Sequence, residues 1–95
     1  MNMNWKKAYE YALKNGPNKK TREIVCQDPQ YAYKYAKDVD KKPREDTREA
    51  VFRNPRYVYA YAKDIDEKPR EDTRDFACLD PKYAYKYAKD VDKKP

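Results

Sequence analysis

The segment YAYKYAKDVDKKP occupies residues 31–43 and returns letter for letter at residues 83–95, with the close variant YVYAYAKDIDEKP at residues 57–69. Comparison of the chain with itself gives a period of 26 residues. The three repeats span residues 21–46, 47–72 and 73–95. A regular period of this length is typical of solenoids, in which one short structural unit stacks on the next. The segment therefore predicts a repeat protein whose units contact mainly their neighbours.

The prolines of each repeat indicate where helices start. Asp-Pro or Asn-Pro recurs at one position of each repeat, at residues 28–29, 54–55 and 80–81. Asp and Asn are favourable N-caps, and proline fits the first helical position because its missing N–H would have no partner there. The helix that starts here is the second of each pair. We expect these helices to end near Asp40, Asp66 and Asp92.

A second series of prolines precedes the first helix of each pair, at Pro17, Pro43, Pro69 and Pro95. We expect these helices to begin near the prolines, again as first helical residues. They should run to about Gln27, Arg53 and Leu79. Acidic residues would lie in the first turn, where the helix dipole favours negative charge. They are Glu45, Asp46, Glu71 and Asp72.

The spacing of residues in the second helix is amphipathic. At the helical period, one face carries Tyr31, Ala32, Tyr35, Ala36 and Val39. The opposite face carries Lys34, Lys37 and Asp38. YAYKY alone also fits the alternation of a strand, but AKDVD breaks that alternation and favours the helix.

A variant of the second helix stands at the N-terminus. Residues 4–16 align with residues 28–40, with Asn4 as the cap and Gly16 as a C-terminal stop. The alignment puts Ala8, Tyr11 and Ala12 in place of Ala32, Tyr35 and Ala36. Lys7 replaces Tyr31, and a more polar terminal unit is what a solenoid needs at its end.

These patterns predict one all-α domain over residues 1–95: a small right-handed helical-repeat solenoid of seven short helices. Residues 1–20 form a capping helix and linker, and three helix pairs follow. The last repeat lacks a capping variant, because Ala84, Tyr87, Ala88 and Val91 keep the internal pattern. Pro95 is where the next helix would begin. Either the last apolar face is exposed and tolerated, or it docks to a second copy or to a target.

The composition favours a thin core with wet edges. Charged residues make up 42% of the chain and few are Leu, Ile, Val or Phe, so the eleven tyrosines have to supply much of the packing. No apolar run approaches the roughly 20 residues that span a bilayer. The N-terminus lacks the apolar region of a signal peptide, and we expect a cytoplasmic protein.

The chain lacks the usual residues of catalytic and metal sites. It has no histidine and no serine, and one glycine cannot build a phosphate-binding loop. Aspartate pairs such as Asp38 and Asp40 recur in each repeat. Their members do not share a helix face, so we expect solvated helix ends rather than a cation site. The sequence predicts no enzyme, no catalytic residue, no metal and no cofactor.

The two cysteines occupy one repeat position, two repeats apart. Stacked helices are about 8–10 Å apart, so the sulfurs of Cys26 and Cys78 should lie beyond disulfide reach. Phe52 holds the equivalent position in the middle repeat. We expect both cysteines to be core residues.

The net charge of +6 suggests nucleic-acid binding, and tyrosines among lysines could stack on bases. The charge is concentrated at the ends, however, with +4 in residues 1–20 and +2 in residues 73–95. The two repeats between them are neutral. No continuous track for phosphates follows from this distribution, so RNA or single-stranded DNA is the second choice of partner.

A repeated surface favours protein binding, and tyrosine is enriched at interface centres. The candidate tyrosines lie outside the apolar sector of the second helices, at Tyr9, Tyr33, Tyr59 and Tyr85. Candidate lysines around them are Lys34, Lys37, Lys63, Lys86 and Lys89. The alternatives are that these tyrosines pack in the groove against the neighbouring helix and that the lysines only solvate the surface.

The motif DPxYAYxYAxDV, followed by a PxED helix start, resembles degenerate helical repeats of about this length in bacteriophage proteins. The likeness covers residues 21–95 and, more weakly, 4–16. It implies a viral gene product. Small phage proteins of this kind often bind and block a host protein, including CRISPR effectors and other defence enzymes.

We therefore expect a non-enzymatic protein-binding module, an inhibitor of the anti-CRISPR kind that acts on a host protein in the host cytoplasm. Two alternatives remain open beside it. One is binding of RNA or single-stranded DNA, and the other is self-assembly through the uncapped C-terminal repeat. The near identity of the repeats also fits an engineered consensus repeat.

Overall fold

The computed structural model describes residues 3–93, which form seven α-helices and no strand. The helices are α1 (Trp5–Asn15), α2 (Lys19–Val25), α3 (Pro29–Tyr35), α4 (Glu45–Val51), α5 (Pro55–Tyr61), α6 (Glu71–Ala77) and α7 (Pro81–Tyr87). The predicted all-α repeat of one capping helix and three helix pairs is confirmed. Its right-handed twist stays a prediction. None of these helices has the length and apolar character needed to cross a membrane.

The second helices start where the sequence predicts. The Asp28 carboxylate accepts a hydrogen bond from the Tyr31 N–H at 3.0 Å, and Pro29 is the first helical residue. Asn54 and Asp80 cap α5 and α7 by accepting from the Arg56 and Lys82 N–H groups, one residue nearer to the cap. Asn4 caps α1 by accepting from the Lys7 N–H at 2.8 Å. Gly16 ends that helix with a φ of 92°, a backbone angle that glycine adopts without steric cost.

The first helices are shorter than predicted at both ends. The N-caps are Asn18, Arg44 and Arg70, each in extended conformation. Pro17, Pro43 and Pro69 thus lie one residue before the N-cap rather than in the first turn. The helices end two residues early because tight turns follow, for example the Asp28 N–H bond to the Val25 carbonyl at 3.0 Å. The acidic residues Glu45, Asp46, Glu71 and Asp72 do lie in first turns.

A π-helical turn extends each complete second helix, at Ala36–Asp40, Ala62–Asp66 and Ala88–Asp92. The turn closes with a backbone hydrogen bond between residues five apart, such as the Lys41 N–H to the Ala36 carbonyl at 2.9 Å. The next residue is left-handed, with φ of 56° at Lys41, Glu67 and Lys93. The capping helix α1 has no such turn, so its last residues are oriented differently from those of α3, α5 and α7.

The helices form two layers along an elongated molecule of 49 × 20 × 17 Å. The second helices line up as α1, α3, α5 and α7, each in contact with the next. The first helices lie over the junctions: α2 contacts α1 and α3, α4 contacts α3 and α5, and α6 contacts α5 and α7. Each internal second helix is therefore covered on both sides, whereas within residues 3–93 the covering helices lie on one side of α7 only.

The core follows the predicted apolar face and consists largely of tyrosine and alanine. Tyr35, Tyr61 and Tyr87 are fully buried, and Ala32, Ala36 and Val39 are buried beside them. Each buried tyrosine hydroxyl binds the first helix of its own pair. In the middle repeat the Tyr61 hydroxyl accepts from the Arg44 N–H at 3.0 Å and lies 2.9 Å from the Thr47 hydroxyl. The hydroxyl thereby satisfies backbone groups that no N-cap side chain reaches.

The prediction for the two cysteines is only partly right. Both are free thiols, and Cys26 is half-buried against the core. Burial, with smaller effects of nearby charges, raises the pKa of Cys26 to about 12, so its thiol is unreactive. Cys78 is exposed instead, because no helix after α7 among the described residues covers it. Phe52, at the same position, packs edge-on against Phe76 of the next repeat with ring centroids 5.3 Å apart.

Candidate protein-binding face

Each junction between second helices contains one hydrogen bond from a tyrosine to an aspartate of the next repeat. The Tyr9 hydroxyl donates to the Asp38 carboxylate at 2.6 Å. Tyr33 donates in the same way to Asp64, and Tyr59 to Asp90. Three of the four candidate tyrosines therefore lie at internal junctions, and only 8% of Tyr59 is exposed. Their role in binding a partner stays a prediction.

We call the helix that carries the accepting aspartate the receiving helix. A second tyrosine on this helix packs against the ring of the tyrosine that donates the hydrogen bond. The ring centroids of Tyr33 and Tyr57 are 6.1 Å apart, and those of Tyr59 and Tyr83 are 5.8 Å apart. Tyr9 and Tyr31 make the same pair at 6.0 Å. Tilted pairs at these distances add stabilisation beyond simple burial. Each junction thus has two linked contacts, one aromatic and one between a hydroxyl and a carboxylate.

Four of the five candidate lysines lie over rings of these junction tyrosines. The Lys37 ammonium is 5.8 Å from the centre of the Tyr33 ring, and the Lys63 ammonium is 5.5 Å from that of Tyr59. Lys34 and Lys86 each lie near two rings, with the shorter distances to Tyr31 at 5.2 Å and to Tyr83 at 5.7 Å. These lysines occupy ring surfaces on which a nucleic-acid base would have to stack. Lys89 is exposed on the last repeat.

The junction hydroxyls hold their protons strongly. Burial and the bond to Asp38 raise the pKa of Tyr9 to about 12. Burial and the bonds to Asp64 and Asp90 also raise the pKa of Tyr33 and of Tyr59. Loss of the proton would place two negative charges side by side, so the neutral tyrosine is strongly favoured.

The prediction that the aspartate pairs are solvated helix ends is wrong. One member of each pair accepts the junction tyrosine, and the other pairs with an arginine of the first helix. The Arg22 guanidinium binds Asp40 through two hydrogen bonds, at 2.7 and 3.1 Å. The Asp40 side chain is only 1% exposed. Among residues 3–93, no three acidic, cysteine or histidine side chains form a metal-binding group.

Tyr85 is the candidate tyrosine that differs from its counterparts. It occupies the position of Tyr33 and Tyr59, yet 69% of it is exposed. Among the described residues its hydroxyl has no carboxylate acceptor, and no second helix packs on the far side of α7. Tyr85 therefore presents the donating half of a junction without the receiving half.

Two alanines near Tyr85 in sequence are also more exposed than their counterparts in the middle repeat. Ala88 is exposed and Ala84 is half-buried, although the equivalent Ala62 and Val58 are fully buried. Leu79 is 72% exposed, but its counterparts Gln27 and Arg53 are exposed as well, so its exposure is not particular to the last repeat. We define the C-terminal face by the residues that are more exposed than their counterparts in the middle repeat: Cys78, Ala84, Tyr85 and Ala88. It is an apolar surface with one unpaired hydroxyl, and the exposed lysines Lys89 and Lys93 follow on the same helix end.

The N-terminal end of the array is different in character. Ala8 and Ala12 are buried against the first repeat, while Lys7 and Lys14 are exposed. Tyr11 is 48% exposed, and among the described residues no first helix lies before α1 to bind its hydroxyl as Thr21 of α2 binds Tyr35. The two ends are therefore not complementary copies of an internal junction.

The sequence singled out Tyr85, and it left open that the apolar face of the last repeat, with Ala84 and Ala88, is exposed. Its prediction that Cys78 is a core residue is wrong, because no helix among the described residues packs over that position. Comparison of the chain with protein families, curated proteins and solved structures found no match.

Proposed function

We propose that this chain is a non-enzymatic protein-binding module whose contact surface is the C-terminal face. The observation that carries the proposal is the exposure of Tyr85. Its counterparts Tyr33 and Tyr59 give their hydroxyl protons to carboxylates, and Tyr85 is left with the same donor and no acceptor among the described residues. An exposed tyrosine amid apolar side chains and near lysines is the composition of an interface centre with a polar rim.

The resemblance to bacteriophage repeats adds the proposed partner. A host defence protein, such as a CRISPR effector, would be bound and blocked in the cytoplasm of the host cell. Lysines at the edge of the face favour an acidic surface on that protein, since opposite charges speed association and orient the partner.

The alternative of nucleic-acid binding has weaker support. The lysines that would contact phosphates lie over tyrosine rings, and the internal repeats carry no net charge. Self-assembly has weaker support as well, because both ends of the array are positively charged. Repulsion between like charges opposes a head-to-tail contact of two unmodified chains.

The test is a pull-down from a nuclease-treated bacterial lysate with the chain immobilised through its N-terminus, so that the C-terminal face stays free. We expect the native chain to retain one protein in stoichiometric amount. Tyr85→Ala should lose it, and Tyr11→Ala, which removes an exposed tyrosine at the opposite end, should keep it. Recovery that is equal with Tyr85→Ala, or recovery of nucleic acid alone that salt releases, would contradict the proposal.

The part of the proposal that concerns CRISPR requires a purified effector. The native chain should lower target cleavage by the effector in proportion to the amount bound, and Tyr85→Ala should not. Full cleavage in the presence of excess native chain would reject this partner while leaving protein binding to be judged by the pull-down.

A further inference from the structure

The internal junctions show what the C-terminal face is built to contact. In each repeat the receiving helix offers an aromatic ring and, seven residues later, a carboxylate: Tyr31 and Asp38, Tyr57 and Asp64, or Tyr83 and Asp90. The same arrangement meets the same donor at all three junctions. The surface around the donating tyrosine therefore fits an aromatic ring and a carboxylate on a neighbouring helix.

Small residues bring the two helices close enough for these contacts. Ala36 and Ala62 are fully buried, and the groove beside Ala62 is lined by Asp90 and Val91 of the next repeat. Ala88 has the same place in the last repeat and is exposed. A helix that approaches Ala88 as closely as the next repeat approaches Ala62 would bring its carboxylate to the Tyr85 hydroxyl.

We propose that the C-terminal face binds a helix of a partner protein that presents an aromatic side chain and, seven residues further along, an aspartate or glutamate. This inference rests on the proposed function, in that the C-terminal face is taken as the contact surface. It adds the chemistry that the partner must offer. The aromatic ring packs against Tyr85, and the carboxylate accepts its hydroxyl proton near the lysines of α7.

The chain's own N-terminal helix is a poor occupant of this face. The positions of α1 that align with Tyr31 and Asp38 are Lys7 and Lys14, and α1 has no π-helical turn. A lysine neither accepts a hydroxyl proton nor supplies the ring. The net charges of +4 at residues 1–20 and +2 at residues 73–95 oppose the contact further. Unmodified chains should therefore stay monomeric.

The first test gives the N-terminus the missing contact. Residues 4–17 are replaced by a copy of residues 54–69, which contains the aromatic–aspartate pair, the π-helical turn and the linker proline. We expect this full-length variant to associate head to tail, and to form open chains because the contact joins two different surfaces. Light scattering and sedimentation should show growth with concentration, whereas the unmodified chain stays a monomer.

Matched variants separate the proposed contact from general stickiness. Tyr85→Phe in the grafted chain removes only the hydroxyl, and Asp→Asn at the copy of Asp64 removes only the charge. Each should weaken association about tenfold or more, as expected for a hydrogen bond to a charged group. Association that is unchanged by both variants would overturn the inference.

A second test does not depend on the grafted helix. A copy of residues 44–69 is appended after Pro95, so that a new aspartate lies where Tyr85 can reach it. Tyr85→Phe should lower the Tm of the extended chain by about 5 °C and leave the Tm of the unmodified chain unchanged. Equal Tm effects in the two chains, or a folded grafted chain that stays monomeric, would overturn the inference.

The outcomes also distinguish the inference from the proposed function. A grafted chain that associates through Tyr85, together with a pull-down that retains nothing, supports the contact chemistry and rejects the binding function. A retained partner that depends on Tyr85, together with a folded but monomeric grafted chain, rejects the contact chemistry and keeps the function.

Discussion

At the scale of residues, each repeat is closed by an arginine and an aspartate that lie 18 residues apart. Arg22, Arg48 and Arg74 of the first helices pair with Asp40, Asp66 and Asp92 at the ends of the second helices. A buried carboxylate that loses its partner keeps the full cost of its desolvation, so the removal of one partner is costly. The cost should depend on how deeply each pair is covered.

The middle and last pairs offer a direct comparison. The Arg48 side chain is 12% exposed with Asp66 at 1%, whereas Arg74 is 41% exposed with Asp92 at 12%. We expect Arg48→Met to lower the free energy of unfolding by about 3 kcal/mol. Arg74→Met should lower it clearly less, because water screens this exposed pair. Urea unfolding at pH 7 measures both, and equal losses would contradict the difference in burial.

The junction tyrosines predict a loss of stability at high pH. An unfolded tyrosine ionises near pH 10, whereas the pKa of Tyr9 in the folded chain is raised to about 12 by burial and by Asp38. Between these pH values the unfolded chain releases a proton that the folded chain keeps. The free energy of unfolding should therefore fall as the pH rises from 10 to about 12.

Phenylalanine at position 9 tests the source of that fall. Tyr9→Phe should cost about 1–2 kcal/mol at pH 7, since it removes a hydrogen bond to a carboxylate. It should also make the alkaline fall shallower than in the native chain. Tyr85→Phe is the control for the hydrogen bond at pH 7, because Tyr85 has no acceptor among the described residues, and it should cost little stability there. A Tyr9→Phe variant whose alkaline fall is as steep as that of the native chain would contradict the assignment.

At the scale of elements, the π-helical turn sets the register of the junctions. It changes the direction in which the side chains of the last residues project from each second helix. In the middle repeat Asp64 faces the preceding repeat and Asp66 faces Arg48. The turn ends at a residue with φ of 56°, which is Lys41, Glu67 or Lys93 rather than glycine. A side chain in this region carries a steric cost of about 1–2 kcal/mol.

Glycine at one of these positions should relieve that cost. Glu67→Gly should raise the free energy of unfolding by about 1 kcal/mol, partly because it also removes a negative charge from a helix C-terminus. Glu67→Gln isolates the effect of the charge and should give a smaller gain. Thermal unfolding of the two variants measures the difference. A Glu67→Gly variant no more stable than Glu67→Gln would show that the left-handed backbone is not strained.

The helix pairs could be predicted from the sequence because their signals are local. The cap Asp28, the following Pro29 and the apolar face through Tyr35 lie within two turns of one another. The junctions could not be predicted in this way. Tyr33 and Asp64 are 31 residues apart, and the π-helical turn between repeats breaks the regular helical angle on which the search for shared faces depends.

A partial signal for these contacts was nevertheless present in the sequence. Thr and Arg open every repeat at the same positions, for example Thr47 and Arg48, and Asp64 and Asp66 keep their register with them. Polar residues that return unchanged with the period are candidates for pairing with one another. The exposure of Cys78 agrees with the same periodicity, because its counterpart Phe52 packs on the next repeat and no such repeat covers Cys78 among the described residues.

At the scale of the whole molecule, each repeat is stabilised mainly by its contacts with the adjacent repeats. The second helices α3 and α5 pack against the ones before and after them, and each first helix lies over one junction. In such an array the cost of a substitution depends on the position of the repeat as well as on the residue. The same alanine is a core residue in the middle of the array and a surface residue at its end.

Glutamate at these equivalent alanines tests that dependence. Ala62 is fully buried beside Asp90, so Ala62→Glu should cost more than about 3 kcal/mol or abolish folding, because it buries a charge next to another of the same sign. Ala88 is exposed, and Ala88→Glu should change the free energy of unfolding by about 0.5 kcal/mol or less. Urea unfolding followed by circular dichroism measures both. A large loss with Ala88→Glu would mean that the C-terminal face is covered in solution, and light scattering at the same concentration would then have to show a dimer.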